Sequence, residues 1–370
     1  MPRLPPIRYL ARQAEPTRIS PFFVAVSLLL VLILSLFPFT NWRFTGEPVF
    51  AFFTYPLPYY ATIFDNAVNV LAYIPLGLGL MLMFRQRVLA ALIAVIACAA
   101  ISCSVEFIQQ FLPGRIASNL DILSNTSGGL IGAAMGLVLR SRSWVQRWLI
   151  FRHELLAGGR VMEWSLVWLV LWFVTQLDPT QPYLGVVVEP RGLPQAFIAP
   201  IADAALFLRL LEAAGVMLNL AGVGLFASVL LAYGRDIPRV VSAILGFALV
   251  LKMAFAGMLL KPEQFFAWLN LNIILGGLCG ALILVLAWPL HRRYRAVLAI
   301  VCLSLAVGVS LIWPLAPQLT ATLPLFKWQY GHLLHFSGLA QVVGDIWPFG
   351  AMALLVWYLF GSQDGSEYFA

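Results

Sequence analysis

Charged residues are scarce in this chain. Asp, Glu, Lys and Arg make up 11% of its 370 residues, while hydrophobic residues make up 61%. Because soluble globular domains carry about 25% charged residues, this composition excludes a soluble protein. It indicates a chain that lies mostly inside a lipid bilayer.

Metal and nucleophile motifs are also missing. The cysteines lie inside apolar runs without CxxC or Cys/His spacing, so we expect free thiols. They are Cys98, Cys103, Cys279 and Cys302. His332 and His335 stand close together in the sequence, but a zinc site needs a further ligand and an open position. We therefore expect no metal and no cofactor.

The N-terminal segment lacks a signal-peptidase site. Residues 1–20 are basic and precede an apolar run from Pro21 to Pro38. This run ends in FPFTNW, without the small-x-small pattern of a cleavage site. We therefore expect an uncleaved first transmembrane span.

Long apolar segments dominate the rest of the chain. A bilayer is crossed by about 20 helical residues, and segments of about this length recur ten times. They are 22–40, 66–84, 88–109, 121–139, 161–177, 212–233, 240–260, 268–289, 297–314 and 343–361. The expected fold class is all-α, a polytopic transmembrane helical bundle of about ten spans.

Arginines punctuate these segments and form no single patch, which argues against nucleic acid as a partner of this chain with net charge +7. With the N-terminus inside, every cytoplasmic segment is basic, as the positive-inside rule requires. Both termini are then cytoplasmic. The basic residues left at outer loops or outer span ends are Arg43, Arg115, Arg191, Arg209, Lys252, Lys261 and Lys327.

The spacing of the spans predicts two membrane domains. A basic N-terminus (1–20) precedes a four-helix domain (21–140), a basic linker (141–160), a second domain of about six spans (161–361) and a tail (362–370). The motif GGLIGA at 128–133 returns as GGLCGA at 276–281. Two interpretations stay open: a degenerate internal repeat, or chance similarity between helices rich in small residues. In a repeat, the second copy has Leu269 at the position of Asp121, so the second copy would lack the polar site of the first.

Polar residues concentrate where three of the expected spans meet the outer side. They are Asp65, Asn66 and Asn69 at the start of one span, Glu106, Gln109 and Gln110 at the end of the next, and Asp121 and Asn125 at the start of a third. Their spacing of three or four residues places each group on one helix face. Charge near hydrocarbon is costly and marks function, so we expect a shared site there.

Arg115 lies in the turn of this cluster and can hold a phosphate or carboxylate with paired hydrogen bonds. Asn69, Gln109, Gln110 and Asn125 offer both donors and acceptors. Simpler interpretations stay open beside this one. Asp121 alone can cap its helix, Arg115 can pin the turn through an ion pair, and Asn69 can join two helices.

Glycine and proline in this region have structural interpretations. Gly128 and Gly129 stand at a spacing that allows close helix packing. Pro75 and Gly77 are expected to bend or thin their helix, and Pro113 and Gly114 to form the turn.

The order of these motifs resembles the VanZ-like family of membrane proteins over residues 25–140. The resemblance is carried by Asn69 with Pro75-Leu-Gly77, Glu106 with Gln109, Pro113-Gly-Arg115, and Asp121 with Asn125 and Gly128-Gly129. The family's namesake is associated with teicoplanin resistance. The resemblance implies a protein of the bacterial cell envelope in the cytoplasmic (inner) membrane.

Three functions remain open at this point. The site can bind the head of a lipid, a lipid-linked envelope precursor or a lipoglycopeptide. It can belong to a membrane enzyme with Glu106 or Asp121 as general base, since that chemistry needs one positioned carboxylate. It can also be an interhelical network in a structural or assembly protein. Neither the oligomeric state nor the role of residues 160–370 follows from the sequence.

Overall fold

The computed structural model describes residues 19–37, 39, 41–44, 46, 48, 50–54, 63–84, 86–112, 117–140, 155–179, 202–313, 323–327 and 332–361. Ten α-helices carry most of the regular structure in these residues. They are α1 (Ile19–Leu36), α2 (Ile63–Met83), α3 (Arg87–Gln109), α4 (Asn119–Leu139), α5 (Arg160–Thr175), α6 (Ala204–Val229), α7 (Ile237–Leu259), α8 (Leu271–Ala287), α9 (Arg292–Ile312) and α10 (His332–Phe360). Each apolar segment expected from the sequence overlaps one of these helices. The all-α class is confirmed.

Seven of these helices contain a stretch that is long and apolar enough to cross a bilayer. The stretches are Asn66–Met83, Arg87–Gln109, Asn119–Leu139, Ala204–Val229, Gly234–Leu259, Arg292–Ile312 and Leu339–Phe360. Helices α1 and α8 contain shorter apolar stretches, and α5 has 16 residues. The chain is thus a multi-pass membrane protein by its helices, while ten spans and cytoplasmic termini stay predictions.

The chain divides into two units, Met1–Arg152 and His153–Ala370. Part of the expected linker belongs to the second unit. There the amide of Ala157 donates to the carbonyl oxygen of Leu230 (2.8 Å), and the amide of Ala232 donates to that of Leu155 (2.9 Å). The expected N-terminal segment up to residue 18 and the tail 362–370 lie outside the described residues.

In the first unit, α2 packs against α1, α3 and, most extensively, α4. The contact between α2 and α4 depends on glycine. A Cβ atom on Gly128 would collide with the carbonyl oxygen of Val70, and one on Gly132 with that of Ile74. Gly77 meets the backbone of Gly129 in the same way. Missing side chains therefore let the two backbones touch, a common solution in membrane helices.

The neighbouring helices also pack on small residues of this pair. Gly129 faces the side chain of Cys98 on α3, and Gly79 faces Val24 on α1. Helix α2 continues as one helix through Pro75. Small side chains thus set the spacing of all four helices in this unit.

In the second unit, α6 is the most enclosed helix, with α8 and α9 packed on it. Helix α5 packs against α10 through two indoles that bond reciprocally. The Trp168 Nε1 donates to the carbonyl oxygen of Trp347 (2.8 Å), and the Trp347 Nε1 donates to that of Trp168 (2.7 Å). Both of these indole N–H groups, which are costly to bury without a partner, thereby have a hydrogen-bond acceptor.

Candidate functional site

Helices α2 and α4 are joined by side-chain hydrogen bonds near their N-terminal ends. The Asn69 Nδ2 donates to the Asp121 Oδ1 at 2.8 Å. One turn away, the Ser124 Oγ donates to the Asn66 Oδ1 at 3.3 Å. The structure thus brings Asn69 and Asp121 together, and Asn66 with them.

Helix α3 joins this network through its C-terminal half. Glu106 is buried (1% exposed), and its Oε2 accepts from the backbone N–H of Ser118 at 2.9 Å. The Asn125 Nδ2, also buried, donates to the Ser102 Oγ at 2.9 Å. Three helices therefore contribute to one polar network, which we call the α2–α4 polar network (Asn66, Asn69, Ser102, Glu106, Ser118, Asp121, Ser124 and Asn125).

Ser118 is the N-cap of α4. Its side chain accepts from the N–H of Leu120 at 3.2 Å, with the extended backbone typical of that position. Asp121 lies inside the first turn and directs its Oδ1 to Asn69. The carboxylate of Glu106 also stands at this helix start, where unpaired N–H groups favour negative charge.

Gln109 bonds in a different direction. It is buried, and its Nε2 donates to the carbonyl oxygen of Ser35 at 2.9 Å, which ties α3 to α1. Gln110 follows as the half-buried C-cap of α3. Gln109 therefore holds the helices around the network and does not itself join Asn69 and Asp121.

Burial divides the network into two parts. Glu106 and Asn125 are enclosed, while Asn66, Asn69 and Asp121 are half-buried. The enclosed groups can position the helices, and the half-buried groups can also meet a molecule from outside. Asp121 is thus the more accessible of the two acidic candidates.

Several predicted site residues lie outside the described part of the chain. These are Pro113, Gly114 and Arg115, together with the side chains of Asp65, His332 and His335. Their roles stay predictions. Among the described residues, no group of three or more His, Cys, Asp and Glu side chains is arranged to hold a metal ion.

Sequence reasoning missed the position of the segment around Arg43. The N–H of Arg43 donates to the carbonyl oxygen of Phe111 at 2.9 Å, which places this exposed arginine beside the end of α3. Phe44 packs against Phe111 with ring centroids 6.0 Å apart, and Phe50 against Phe107 at 5.9 Å. The aromatic residues of that loop were the feature of the sequence that could have indicated this packing.

The second unit contains buried charge that sequence reasoning also missed. Lys252 was expected at an outer span end, but it lies inside α7 and is fully buried. Its Nζ donates to the carbonyl oxygen of Asp178 at 2.6 Å, and Asp178 itself is 1% exposed. Glu212 is buried in α6. An acidic or basic residue inside an apolar helix was the signal.

A comparison with protein-family models gives a match to VanZ/LLP1 over residues 13–140. We call the matched residues the VanZ/LLP1 segment. This confirms the resemblance drawn from the motifs. The VanZ/LLP1 segment contains α1 to α4 and every residue of the α2–α4 polar network. Neither the curated proteins nor the solved structures give a match.

Proposed function

We propose that the VanZ/LLP1 segment binds the polar head of an envelope lipid, a lipid-linked envelope precursor or a lipoglycopeptide. The observation that carries this proposal is the half-buried carboxylate of Asp121, held by Asn69 at 2.8 Å where α2 and α4 begin. Polar side chains in an apolar helical bundle are costly, and natural membrane proteins keep them mainly where they function.

The two parts of the network have different roles in this proposal. Glu106 holds the start of α4 through Ser118, and Asn125 holds α4 to α3 through Ser102. Both pairs fix the position of Asp121. Asp121, Asn69 and Asn66 then face the head group, where a carboxylate accepts hydrogen bonds from hydroxyl or amine groups and amides both donate and accept.

Positive charge for the anionic part of such a ligand comes from arginine. Arg43 is exposed beside the end of α3, and Arg115 follows α3 in the sequence. A guanidinium binds phosphate or carboxylate with two parallel hydrogen bonds. The apolar part of the ligand would lie on exposed aromatic faces such as Phe44 and Phe50, which suit the layer between lipid and water.

The burial of the two carboxylates also sharpens the enzyme alternative. A general base must reach the proton that it removes. Glu106 is enclosed and accepts from the Ser118 amide, so it acts through the helix that it positions. If the segment catalyses a reaction on a lipid-linked substrate, Asp121 is its general base.

Asp121→Asn tests the proposal. Asparagine keeps the shape and the ability to bond to Asn69, but it loses the charge. We expect normal abundance in the membrane and an affinity for the head group about tenfold to a hundredfold lower, since hydrogen bonds to charged groups contribute about 1.5–3 kcal/mol. In cells made resistant to teicoplanin by this chain, susceptibility should return to that of cells without it.

The matched control is Asp236→Asn, which removes one half-buried carboxylate from the second unit. It should leave susceptibility unchanged. Arg115→Ala and Arg43→Ala should each weaken the phenotype at normal abundance. A parallel loss of abundance and phenotype in Asp121→Asn would instead assign the network a structural role. Turnover of a lipid-linked substrate that disappears in this variant would favour the enzyme.

A further inference from the structure

Helices α6 and α8 of the second unit meet in the same manner as α2 and α4. A Cβ atom on Gly276 would collide with the carbonyl oxygen of Ala213, and one on Gly280 would lie 2.9 Å from that of Met217. Gly277, the next residue after Gly276, has open space around it. The contact therefore uses one glycine per helical turn on a single face of α8.

The two helix pairs also share a register. In the first unit, Gly128 and Gly132 meet the carbonyl oxygens of Val70 and Ile74, again one turn apart on both helices. On this basis Val70 corresponds to Ala213. The residues that precede them, Asn69 and Glu212, then correspond to each other as well. The polar residue of α2 that bonds across to α4 thus corresponds to a polar residue of α6.

Glu212 bonds across to α8 at this position. Its Oε1 accepts from the Asn270 Nδ2 at 2.7 Å, and its Oε2 accepts from the Asn272 Nδ2 at 2.8 Å. The Oδ1 of Asn270 in turn accepts from the N–H of Ile273 at 2.9 Å as the N-cap of α8. This last bond fixes which end of the Asn270 amide faces Glu212.

The direction of the pairing is reversed between the units. In the first unit, the central helix supplies the amide of Asn69 and the later helix supplies the carboxylate of Asp121. In the second, α6 supplies the carboxylate and α8 supplies the amides. On this register, a repeat would keep a polar site despite Leu269, with the acid on the facing helix.

The charge of Glu212 has no counterpart in the described part of the chain. The carboxylate is 6% exposed, and both hydrogen-bond partners are neutral amides. Arg209, one turn earlier on α6, is exposed. In the described part of the chain, it forms no ion pair with Glu212. An enclosed carboxylate without a cation is costly, so a positive group beside Glu212 would stabilise it.

We propose that α6 and α8 repeat the α2–α4 pair with carboxylate and amide exchanged, and that Glu212 with Asn270 and Asn272 binds a primary ammonium group. The inference is independent of the function proposed for the first unit, because it rests on Glu212 and its own surroundings. A primary ammonium supplies both the missing charge and N–H donors. The exposed side of Asn270 gives access to the site.

Phosphatidylethanolamine and phosphatidylcholine test this chemistry, because both zwitterionic head groups contain a cationic nitrogen but only that of phosphatidylethanolamine has N–H donors. The full chain, stripped of lipid in detergent, is titrated with each lipid, and bound lipid is counted by native mass spectrometry. We expect wild type to prefer phosphatidylethanolamine by at least about tenfold, the effect of one charge-assisted hydrogen bond. Glu212→Gln should abolish this preference.

The control is Glu263→Gln, which removes a carboxylate at an exposed position of the same unit and should keep the preference. Free ethanolamine distinguishes the sources of the ammonium. If free ethanolamine competes at concentrations similar to those of the lipid, the natural ligand is a soluble amine. If only the lipid binds, the ligand is a membrane lipid. Equal binding of both lipids by wild type, or an unchanged preference in Glu212→Gln, overturns the proposal.

A second variant covers the case in which Glu212→Gln does not fold. Glu212→Asn with Asn272→Asp returns the carboxylate to the later helix, as in the Asn69–Asp121 pair, and should keep the preference for phosphatidylethanolamine. Gly276→Leu should lower thermal stability while the neighbouring Gly277→Leu should not. A folded exchange variant without the preference, or equal effects of the two glycine substitutions, contradicts the repeated pair.

Discussion

Replacing Gly132 with leucine is expected to force α2 and α4 apart and to destabilise the first unit by about 3 kcal/mol or more, because overpacking against rigid atoms is costly. The atoms that a Cβ at this position would strike belong to the backbone of Ile74 and Leu78. Backbone atoms cannot move aside by changing rotamer. Unfolding of the purified chain by denaturing detergent measures the loss.

Ala134→Leu is the matched control for this substitution. Ala134 lies two residues further along α4 on its exposed side, so the same increase in size should change stability little. Gly132→Leu should also break the Asn69–Asp121 hydrogen bond, because that bond needs the two helices in contact. Equal stability of the two variants would contradict the close contact between α2 and α4.

Replacing Lys252 with methionine should destabilise the second unit by about 1.5–3 kcal/mol, the contribution of a hydrogen bond that involves a charged group. Methionine fills the same volume, so the effect reports the lost hydrogen bond and not packing. The substitution removes a hydrogen bond of 2.6 Å from the buried Nζ to the Asp178 carbonyl oxygen. Thermal unfolding of the purified chain measures the change.

Two further variants test the cause of that loss. Lys327→Met removes a lysine that also donates to a backbone carbonyl, that of Gly257, but at an exposed position, and it should change stability little. Adding Asp178→Asn to Lys252→Met should recover none of the lost stability, because Lys252 donates to the backbone carbonyl oxygen of Asp178. Recovery of stability in the double variant would show that the loss comes from the charges of the two side chains.

Hydropathy alone located the helices well. The expected segment 88–109 became α3 (Arg87–Gln109), and 121–139 became α4 (Asn119–Leu139). The segment 343–361 became the longer α10 (His332–Phe360), because a helix can begin before its apolar stretch does. The bilayer fixes the length of apolar runs, but it does not fix where the first polar turn of a helix begins.

Side-chain pairing was less predictable. The sequence placed Asn69 and Asp121 at the same ends of their helices, and they bond to each other. It grouped Gln109 with them, although Gln109 bonds to α1. Spacing along one helix defines a face, but the partner of that face depends on how neighbouring helices are rotated, which spacing does not contain.

Residues with distant partners were missed for the same reason. Lys252 meets Asp178, and Glu212 meets Asn270 and Asn272, across long stretches of intervening chain. In each case the sequence shows one charged residue in an apolar helix and no partner nearby. The position of such a residue within its helix was informative, while its partner became known only from the packed structure.

A density map of the full chain in lipid nanodiscs is the most direct test of the proposed head-group site. We expect Asn69 and Asp121 within hydrogen-bonding distance of each other, with density for a lipid head in contact with Asp121 at the start of α4. A map in which Asn69, Glu106 and Asp121 face separate sides of the bundle, or in which protein side chains alone fill this position, would contradict the account.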